Sequence, residues 1–306
     1  MTKPKNPFIK SPLNYTGGKH KLLPQIVPLM PSAEERNGKQ FIDLFCGGGN
    51  VAVNMDGYKQ IYANDLCGEI IELFHSFQTF DLEVILIYIA QQIERYGLTI
   101  DNAEGYNKFR EFYNNIPNDN PLKPLALFVL ICYSFNHQFR FNSKGEFNMP
   151  FGKNRSQFNK TIKENLEKFH EGLHDKSIVF HNKDFRDFIT NDITLNTGDY
   201  VYCDPPYLIT CATYNEKDGW NQKCEEDLLA LLDEFHAKGI YFGLSNVLSN
   251  KGKENTILKA WIDKHPEYTV HHLNYTYGNC SYHALDKSDT TTDEVFITNY
   301  THDQTL

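Results

Sequence analysis

Residues 40–50, QFIDLFCGGGN, decide how this chain folds. The apolar run QFIDLF is typical of a buried parallel strand, and the three glycines after it predict a tight turn. Residues 51–55 predict the start of a short helix, and residues 60–64, QIYAN, predict a second strand that ends at Asp65. A strand, a turn, a helix and a second strand in this order indicate the opening of an α/β fold.

The same alternation returns in the second half of the chain. Strands are predicted at 177–181, 199–203, 239–244, 268–273 and 294–299, and helices at 157–172, 224–238 and 254–264. This order predicts a doubly wound, mostly parallel sheet. Between the halves, residues 69–174 are largely helical, with helices expected at 69–96 and 122–137, so we interpret this segment as an inserted second domain.

Length and composition exclude several classes of protein. The chain has 306 residues, enough for roughly two domains, and its 41% hydrophobic content supports a buried core. It contains no apolar run of the roughly 20 residues needed to span a bilayer. The first residues show no secretory signal, so a cytoplasmic protein is expected. Seven cysteines without a CxxC pair argue against a zinc ribbon and a disulfide scaffold and are expected to be reduced.

The net charge of −9 excludes a uniformly basic surface, but it does not exclude local basic patches. Residues 1–21 carry five lysines and no acid, and residues 140–186 carry ten basic against six acidic side chains. Acids are concentrated elsewhere, for example in residues 225–234. Because the local sign of the charge decides whether a groove attracts phosphates, nucleic-acid binding stays open.

The glycine turn DLFCGGGN, residues 43–50, has the features of a ligand-binding loop. Glycines let backbone amides approach a ligand closely, and the N-terminus of a helix favours anionic groups. Asp65 lies 22 residues after Asp43, where an acid commonly accepts hydrogen bonds from ribose hydroxyls. The turn is not GxGxxG, which weakens a dinucleotide site, and a tight turn without a ligand is the alternative.

The motif DPPY, residues 204–207, directly follows the predicted strand DYVYC. Two consecutive prolines end a strand rigidly and direct the Asp204 side chain and the following carbonyl toward one point. Tyr207 adds a flat face beside these two acceptors. Together they suit a planar ring that bears an amino group, whereas a polar loop cap would not need this combination.

In chain order, DLFCGGGN, AND (63–65) and DPPY are similar to the motifs of the D12 class of adenine-specific DNA N6-methyltransferases, the Dam-like family. Four other segments agree. They are NYTGGK (14–19, with Tyr15 where the family has Trp), RFNSKGEFNMPFG (140–152), KDF (183–185) and DEVFITNY (293–300). The resemblance therefore extends over nearly the whole chain.

The resemblance implies a Rossmann-like methyltransferase fold with an inserted, mainly helical DNA-recognition domain. Residues 1–68 and 175–306 would form the catalytic domain, and residues 69–174, with the hairpin 140–151, would recognise the target. It also implies S-adenosylmethionine as the cofactor. The residues expected to bind it are Tyr15, Gly17, Gly18, Lys19, Asp43, Phe45, Gly47, Gly48, Gly49, Asp65, Asp184, Phe185 and Asp204. For Lys19, a solvated surface lysine is the alternative.

The implied catalytic residues are Asp204, Pro205, Pro206 and Tyr207. The N6 lone pair of adenine is conjugated into the ring and is a poor nucleophile. Hydrogen bonds from N6 to the Asp204 carboxylate and the Pro205 carbonyl favour a pyramidal nitrogen and stabilise its developing positive charge. Tyr207 is expected to stack on the flipped adenine, and such stacking is worth about 1–3 kcal/mol. No metal is expected.

The hairpin 140–151 carries the residues expected to contact DNA. Arg140, Asn142 and Asn148 have side chains that can read base edges, and Lys144 and Lys153 are suited to phosphates. An ordinary exposed hairpin is the alternative. The aromatic residues of FREFY, 109–113, are expected in the core rather than at bases.

The expected function is site-specific adenine N6 methylation of double-stranded DNA, in a restriction–modification system or as a phage or orphan enzyme. A cognate restriction endonuclease is a further expected partner. No association with a membrane and no metal is expected. The alternatives are a cytosine N4 methyltransferase, an RNA methyltransferase, and an inactive DNA-binding or dinucleotide-binding homologue. Cytosine N4 enzymes typically have SPPY rather than DPPY. Residues 208–220 resemble modification enzymes of Type IIS systems, so no GATC target is assigned.

Overall fold

The computed structural model describes residues 6–210, 219–274 and 292–301. Its strands are β1 (Gln40–Asp43), β2 (Gln60–Asn64), β3 (Ile178–His181), β4 (Tyr200–Cys203), β5 (Tyr241–Asn250), β6 (Lys253–Glu254), β7 (Thr269–Leu273) and β8 (Thr292–Thr298). Its α-helices are α1 (Leu23–Ile26), α2 (Ala33–Arg36), α3 (Gly68–Thr79), α4 (Leu82–Tyr96), α5 (Ala103–Asn115), α6 (Lys123–Tyr133), α7 (Lys160–Asp175), α8 (Phe185–Asp187), α9 (Gln222–Ala237) and α10 (Thr256–Lys264). Within this part of the chain, no helix is long and apolar enough to cross a membrane.

The strands form one sheet in the order β3-β2-β1-β4-β5-β8-β7, with β6 paired to β5. Strands β1 to β5 are mutually parallel, whereas β8 runs antiparallel to β5 and β7. Asp43 pairs in register with Ala63 on one side and with Tyr202 on the other. The carboxyl ends of the three central strands therefore meet at one edge, which places the glycine turn beside DPPY. The predicted doubly wound, mostly parallel sheet is confirmed.

Alternate side chains of the central strands enter two separate hydrophobic clusters, one on each face of the sheet. Phe41, Tyr200 and Tyr202 belong to the cluster with α1 and α3–α7. Ile42 and Val201 belong to the cluster with α9 and α10. Because successive residues of a strand point to opposite faces, strands buried on both faces read as nearly continuous apolar runs.

The segment between β2 and β3 is helical, as predicted, but two helix boundaries were wrong. The stretch expected as one helix over 69–96 forms α3 and α4, which are separated at Phe80 and Asp81. The helix expected to reach residue 137 ends at Tyr133, and the backbone turns to an extended conformation at Ser134. Hydrophobic periodicity continues across the first break, because Phe77 and Ile85 on its two sides are buried in the same core. Beyond the second break, Phe135 is 38% exposed and lies outside that core.

Helix α6 is the centre of this helical segment. Its residues 125–133 are all buried, so it has no polar face and must be surrounded by other elements. The surrounding core reaches the sheet without a gap: Phe74 of α3 packs on Phe180 of β3 at 5.2 Å and on Phe169 of α7 at 5.5 Å between ring centroids. The separate recognition domain 69–174 stays a prediction, since its apolar side chains share one cluster with the sheet.

The hairpin predicted around Ser143–Gly145 is present in a short form. Phe141 and Phe147 form an antiparallel bridge, and the Asn142 amide donates to the Glu146 carbonyl at 2.9 Å. Gly145 has a φ of 78°, which fits the left-handed backbone of a tight turn. The aromatic residues of FREFY lie as expected at two positions, because Phe109 and Tyr113 are buried.

Candidate active site

The glycine turn after β1 lies directly against Tyr15. A Cβ atom on Gly47 or on Gly48 would come within 2.8 Å of the Tyr15 side chain. Gly47 and Gly49 also have φ angles of 45° and 72°, a left-handed backbone that other residues rarely adopt. Glycine is therefore required by packing as well as by backbone conformation, and the NYTGGK segment forms one wall of the turn.

Asp65 holds the same turn from the end of β2. Its Oδ2 accepts a hydrogen bond from the Gly47 amide at 2.8 Å, and its Oδ1 accepts one from the Cys67 amide at 2.9 Å. The Asn182 side chain donates to the Asp65 carbonyl at 2.8 Å. These contacts fix the carboxylate beside the glycine turn. The next side chain, Leu66, is 73% exposed, which makes it an apolar surface at the edge of this site.

Asp43, the last residue of β1, is 1% exposed and only half satisfied. Its Oδ2 accepts a hydrogen bond from the Ala52 amide at 3.1 Å. Its Oδ1 is buried and has no hydrogen-bond partner among the described residues. An unpaired buried carboxylate oxygen is costly in free energy, so this atom fits a ligand that brings a donor or a positive charge.

Asp204 begins the loop after β4 and is bound by two donors. The Lys19 ammonium lies 2.9 Å from Asp204 Oδ1, and the Tyr207 hydroxyl donates to the same oxygen at 3.1 Å. Lys19 also donates to the Gly17 carbonyl at 2.8 Å. It is only 3% exposed, so the alternative of a solvated surface lysine is wrong. One ion pair thus joins the NYTGGK segment to DPPY.

Glu294 on β8 completes this group of charges. It is 1% exposed, and its Oε1 lies 3.7 Å from Lys19 Nζ and 3.3 Å from the Tyr207 hydroxyl. The Lys19 ammonium also lies 5.0 Å from the centroid of the Tyr207 ring. Lys19 is therefore placed between two carboxylates and against one face of the tyrosine.

The site carries more buried negative charge than buried positive charge. Burial raises the pKa of Asp43 well above its usual range, and the nearby Asp204 raises it further. Burial also raises the pKa values of Asp65 and Asp204, and Lys19 only partly opposes the effect on Asp204. A cationic ligand would reduce this repulsion, because an opposite charge nearby favours the ionised carboxylates.

Three aromatic side chains form a cluster next to the acids. Phe45, which follows β1, lies 5.4 Å from Phe185 and 5.5 Å from Trp220 between ring centroids. The Trp220 indole donates to the buried Glu225 at 2.6 Å, which fixes its orientation. Asp184 contacts Arg186 rather than this cluster, with an ion pair of 3.0 Å. The structure thus brings Phe45 and Phe185 together, whereas Asp184 is already paired.

The predicted DNA-binding residues are separate from this buried group. Arg140, Lys144 and Lys153 are exposed. The Arg140 guanidinium donates to the Asn148 side chain at 2.8 Å, so these two residues brace each other across the hairpin. The Asn142 side chain accepts from the amides of residues 144 and 146 and therefore holds the turn. Contact of these side chains with DNA stays a prediction.

The loop after α6 was not singled out from the sequence. Asn136 and His137 both have positive φ angles, of 56° and 54°, which is unusual for two consecutive residues that are not glycine. The Asn14 side chain donates to the Asn136 carbonyl at 2.8 Å, and Phe135 is exposed beneath the Arg155 guanidinium. Strained backbone of this kind persists where the surroundings hold it, and it often occurs at functional sites.

Sequence reasoning also missed Glu294, Leu66 and Trp220. Glu294 occurs within the quoted segment DEVFITNY, and an acid inside an otherwise apolar strand was the available signal. Trp220 lies just beyond residues 211–218. This range, which includes Cys211, is outside the described residues, and so is Cys280. In the part of the chain that the structure describes, the cysteines are free thiols, and no cluster of acids, histidines and cysteines is arranged to hold a metal.

Comparison with known proteins shows which family the sequence matches. Residues 15–279 match the family described as D12 class N6 adenine-specific DNA methyltransferase. The match covers both the glycine turn and DPPY, and it includes the helical segment between β2 and β3.

Individual relatives agree with the family match. The chain is 46% identical over 302 residues to the Type II methyltransferase M.FokI of Planomicrobium okeanokoites, covering 97% of this chain and 44% of that protein. It is 42% identical over 297 residues to the modification methylase StsI of Streptococcus sanguinis, covering 96% and 43% of the two chains. The DNA adenine methylase of Escherichia coli K12 is 29% identical over 204 residues, 66% of each chain. The chain spans less than half the length of the first two relatives.

Proposed function

Because the chain belongs to the family of D12 class N6 adenine-specific DNA methyltransferases, we propose that it transfers a methyl group from S-adenosylmethionine to the N6 amine of an adenine in double-stranded DNA. The observation that carries this proposal is the ion-paired carboxylate of Asp204 at the start of DPPY, next to the unsatisfied Asp43. The sheet brings both acids to one edge, which supports an acceptor for the amine beside a site for a cationic methyl donor.

The donor set fits S-adenosylmethionine. This molecule supplies a methyl group on a positively charged sulfur, together with a methionine ammonium group and an adenosine. The free Oδ1 of Asp43 and the surplus of buried carboxylates suit its positive charges. We assign Asp65, which is held beside the glycine turn, to the ribose hydroxyls, and the cluster of Phe45, Phe185 and Trp220 to the adenine ring. The exposed Leu66 offers a further apolar surface beside the ribose site.

The chain's own residues would activate the target amine. The Asp204 carboxylate and the Pro205 carbonyl accept hydrogen bonds from the two N6–H groups. These bonds stabilise the positive charge that develops on the nitrogen. Pro205 and Pro206 hold these acceptors rigidly, since each proline fixes its own φ. Tyr207 would stack on the adenine with the ring face opposite Lys19, because Lys19 already lies against the other face. No step needs a metal.

Recognition of DNA is assigned to the segment 69–174. We assign its exposed Arg140, which is braced by Asn148, to a base edge, and the exposed Lys144 and Lys153 to phosphates. The strained loop with the exposed Phe135 adds an aromatic surface next to the NYTGGK segment. The names of the relatives further support a modification enzyme that acts beside a cognate restriction endonuclease.

Methyl transfer is tested by incubating the purified protein with labelled S-adenosylmethionine and DNA from a methylation-deficient host. We expect label in double-stranded DNA, undiminished by a chelator, and little label in RNA of similar length. Label confined to RNA, or a complete loss of transfer with the chelator, would contradict the proposal.

A further inference from the structure

Asp204 accepts both of its protein donors on one oxygen. Lys19 Nζ and the Tyr207 hydroxyl lie 2.9 Å and 3.1 Å from Asp204 Oδ1. Among the described residues, no hydrogen bond or ion pair to Asp204 Oδ2 is found. The proposed target amine would therefore be accepted by Oδ2, and the strength of that acceptor depends on how firmly Oδ1 is held by its two donors.

Glu294 shares both of these donors with Asp204. Its Oε1 lies 3.3 Å from the Tyr207 hydroxyl and 3.7 Å from Lys19 Nζ. The hydroxyl has one proton and can donate to only one carboxylate at a time. The Lys19 ammonium has three N–H groups and donates one hydrogen bond to the Gly17 carbonyl, so what the two carboxylates share is its positive charge, at 2.9 Å for Asp204 and 3.7 Å for Glu294.

The burial of Glu294 in this position costs free energy of folding. Glu294 is 1% exposed on a strand whose following residues, 295–297, are all apolar and buried. Leu273 stands opposite it in β7, and Val247 opposite it in β5, and both are apolar. Taking a carboxylate out of water is unfavourable without compensation, and Lys19 and Tyr207 are the partners found on its Oε1.

We propose that Glu294 is a positioning residue for methyl transfer, which draws Lys19 and the Tyr207 hydroxyl partly away from Asp204 so that Asp204 stays a strong acceptor for the target amine. This inference rests on the proposed function. Without the charge of Glu294, the ammonium would pair with Asp204 alone and withdraw electron density from the carboxylate that has to stabilise the amine. In this proposal Glu294 acts through Lys19 and Tyr207 and not by direct contact with the reacting atoms.

The decisive variant is Glu294→Gln, which keeps the size of the side chain and removes its charge. We expect kcat to fall about tenfold, a smaller loss than that from removing a directly acting group. The equilibrium Kd values for S-adenosylmethionine and for DNA should change by less than about twofold, because the binding residues are untouched. Thermal unfolding of the free protein shows whether the variant is folded.

Asp293→Asn is the matched control. Asp293 precedes Glu294 on β8, but its side chain pairs with the exposed His272 at 2.8 Å instead of Lys19. The same acid-to-amide change at this position should leave kcat, both Kd values and the pH profile as in the wild type.

The pH profile separates positioning from a structural role. Asp204 must be ionised to accept the amine, so activity is lost as the pH falls through its raised pKa. The charge of Glu294 contributes to raising that pKa, whereas Lys19 lowers it. Asp43 of β1 and Tyr202 of β4 also face Asp204 and are unchanged in the variant. Glu294→Gln should therefore move the acid limb of kcat to lower pH. Because greater exposure of Asp204 to water would also lower its pKa, the shift counts for positioning only when the variant unfolds at the wild-type temperature.

A double-mutant cycle with Tyr207→Phe completes the test. If Glu294 acts partly through the hydroxyl, Glu294→Gln should cost less in the Tyr207→Phe background than in the wild type. Wild-type kcat and an unmoved acid limb in a folded Glu294→Gln protein would overturn the inference, as would purely additive effects. If the wild-type protein itself transfers no methyl group, the proposed function fails. That outcome differs from an unchanged Glu294→Gln variant and from additive effects, which overturn only the role of Glu294.

Discussion

The edge of the sheet with Asp43, Asp65 and Asp204 and the hairpin 140–151 hold their polar groups in different ways. At the sheet edge, the acids are bound by backbone amides, by Lys19 and by the core beneath them. In the hairpin, Arg140 is braced by Asn148 and is exposed to solvent. The acids proposed to act in methyl transfer are therefore held in position before any ligand binds, whereas the side chains proposed to read DNA can still adjust to the DNA.

This difference predicts large and general effects at the buried edge, and small and selective effects at the hairpin. Charges out of water interact strongly, and the loss of one leaves its partners unpaired. Exposed charges are screened, and most of their effect appears only when DNA is bound. Four substitutions test the comparison, taken from the largest expected effect to the smallest.

Asp204→Ala should have the largest effect and lower kcat by a factor of about 10²–10³ or more, because it removes the proposed acceptor for the target amine. The fold should persist, since two prolines hold the loop and Lys19 keeps Glu294 as a partner. Steady-state transfer of labelled methyl groups measures the loss. The exposed Asp263→Ala on α10 is the control and should behave as the wild type. Retention of more than a tenth of wild-type turnover would remove Asp204 from the catalytic role.

Asp65→Asn should weaken S-adenosylmethionine binding by a factor of about 10–100, since a hydrogen bond to a charged group is worth roughly 1.5–3 kcal/mol. Asparagine keeps one oxygen for the Gly47 or the Cys67 amide, so the turn is disturbed less than by alanine. Titration calorimetry with the cofactor alone gives the affinity. DNA affinity without cofactor should be unchanged, and a normal cofactor Kd would show that Asp65 only supports the glycine turn.

Arg140→Ala should relax specificity at a single base position, with a cost of about 1–3 kcal/mol there. The recognition sequence is first obtained by sequencing methylated bases in an expression host. Competition binding on a panel of single-base variants then locates the effect. An equal loss of affinity for all sequences would make Arg140 a phosphate contact and move base reading elsewhere in 69–174.

Lys153→Ala should have the smallest effect, a modest loss of affinity that is the same for every sequence. The slope of log affinity against log salt should become shallower by about one, because one phosphate contact is lost. Lys259→Ala is the matched control, since Lys259 is on α10, on the opposite face of the sheet from the hairpin. An unchanged salt slope would place Lys153 outside the DNA interface.

The sheet and the glycine turn could be predicted from the sequence because their signals are local. Apolar strands followed by glycines or DPPY identify β1 and β4, and β2 was predicted with its observed limits. The break at Phe80 could not be predicted, since burial in a shared core maintains the apolar pattern across it. The helix end after Tyr133 could not be predicted either, since no proline or glycine follows it in residues 134–137. Strand β5 continues to Asn250, six residues beyond its predicted end, where it pairs with β6 and β8.

The candidate site was only partly accessible in the same way. Motif residues such as Asp43, Asp65 and Asp204 stand at strand ends, where the parallel topology brings them together. The ion pair of Lys19 with Asp204 and the position of Glu294 depend on contacts between segments that are far apart in the chain. The strained Asn136–His137 pair has no glycine to mark it, so its backbone conformation carries no sequence signal.

The central claim, methylation of adenine at N6 by the buried acidic edge, is tested most directly by identifying the product. Unmethylated double-stranded DNA is incubated with the wild-type protein and labelled S-adenosylmethionine, digested to nucleosides and separated with methylated standards. We expect all label to run with N6-methyldeoxyadenosine and Asp204→Ala to yield almost none. Label in N4-methyldeoxycytidine, or unchanged adenine methylation by Asp204→Ala, would contradict it.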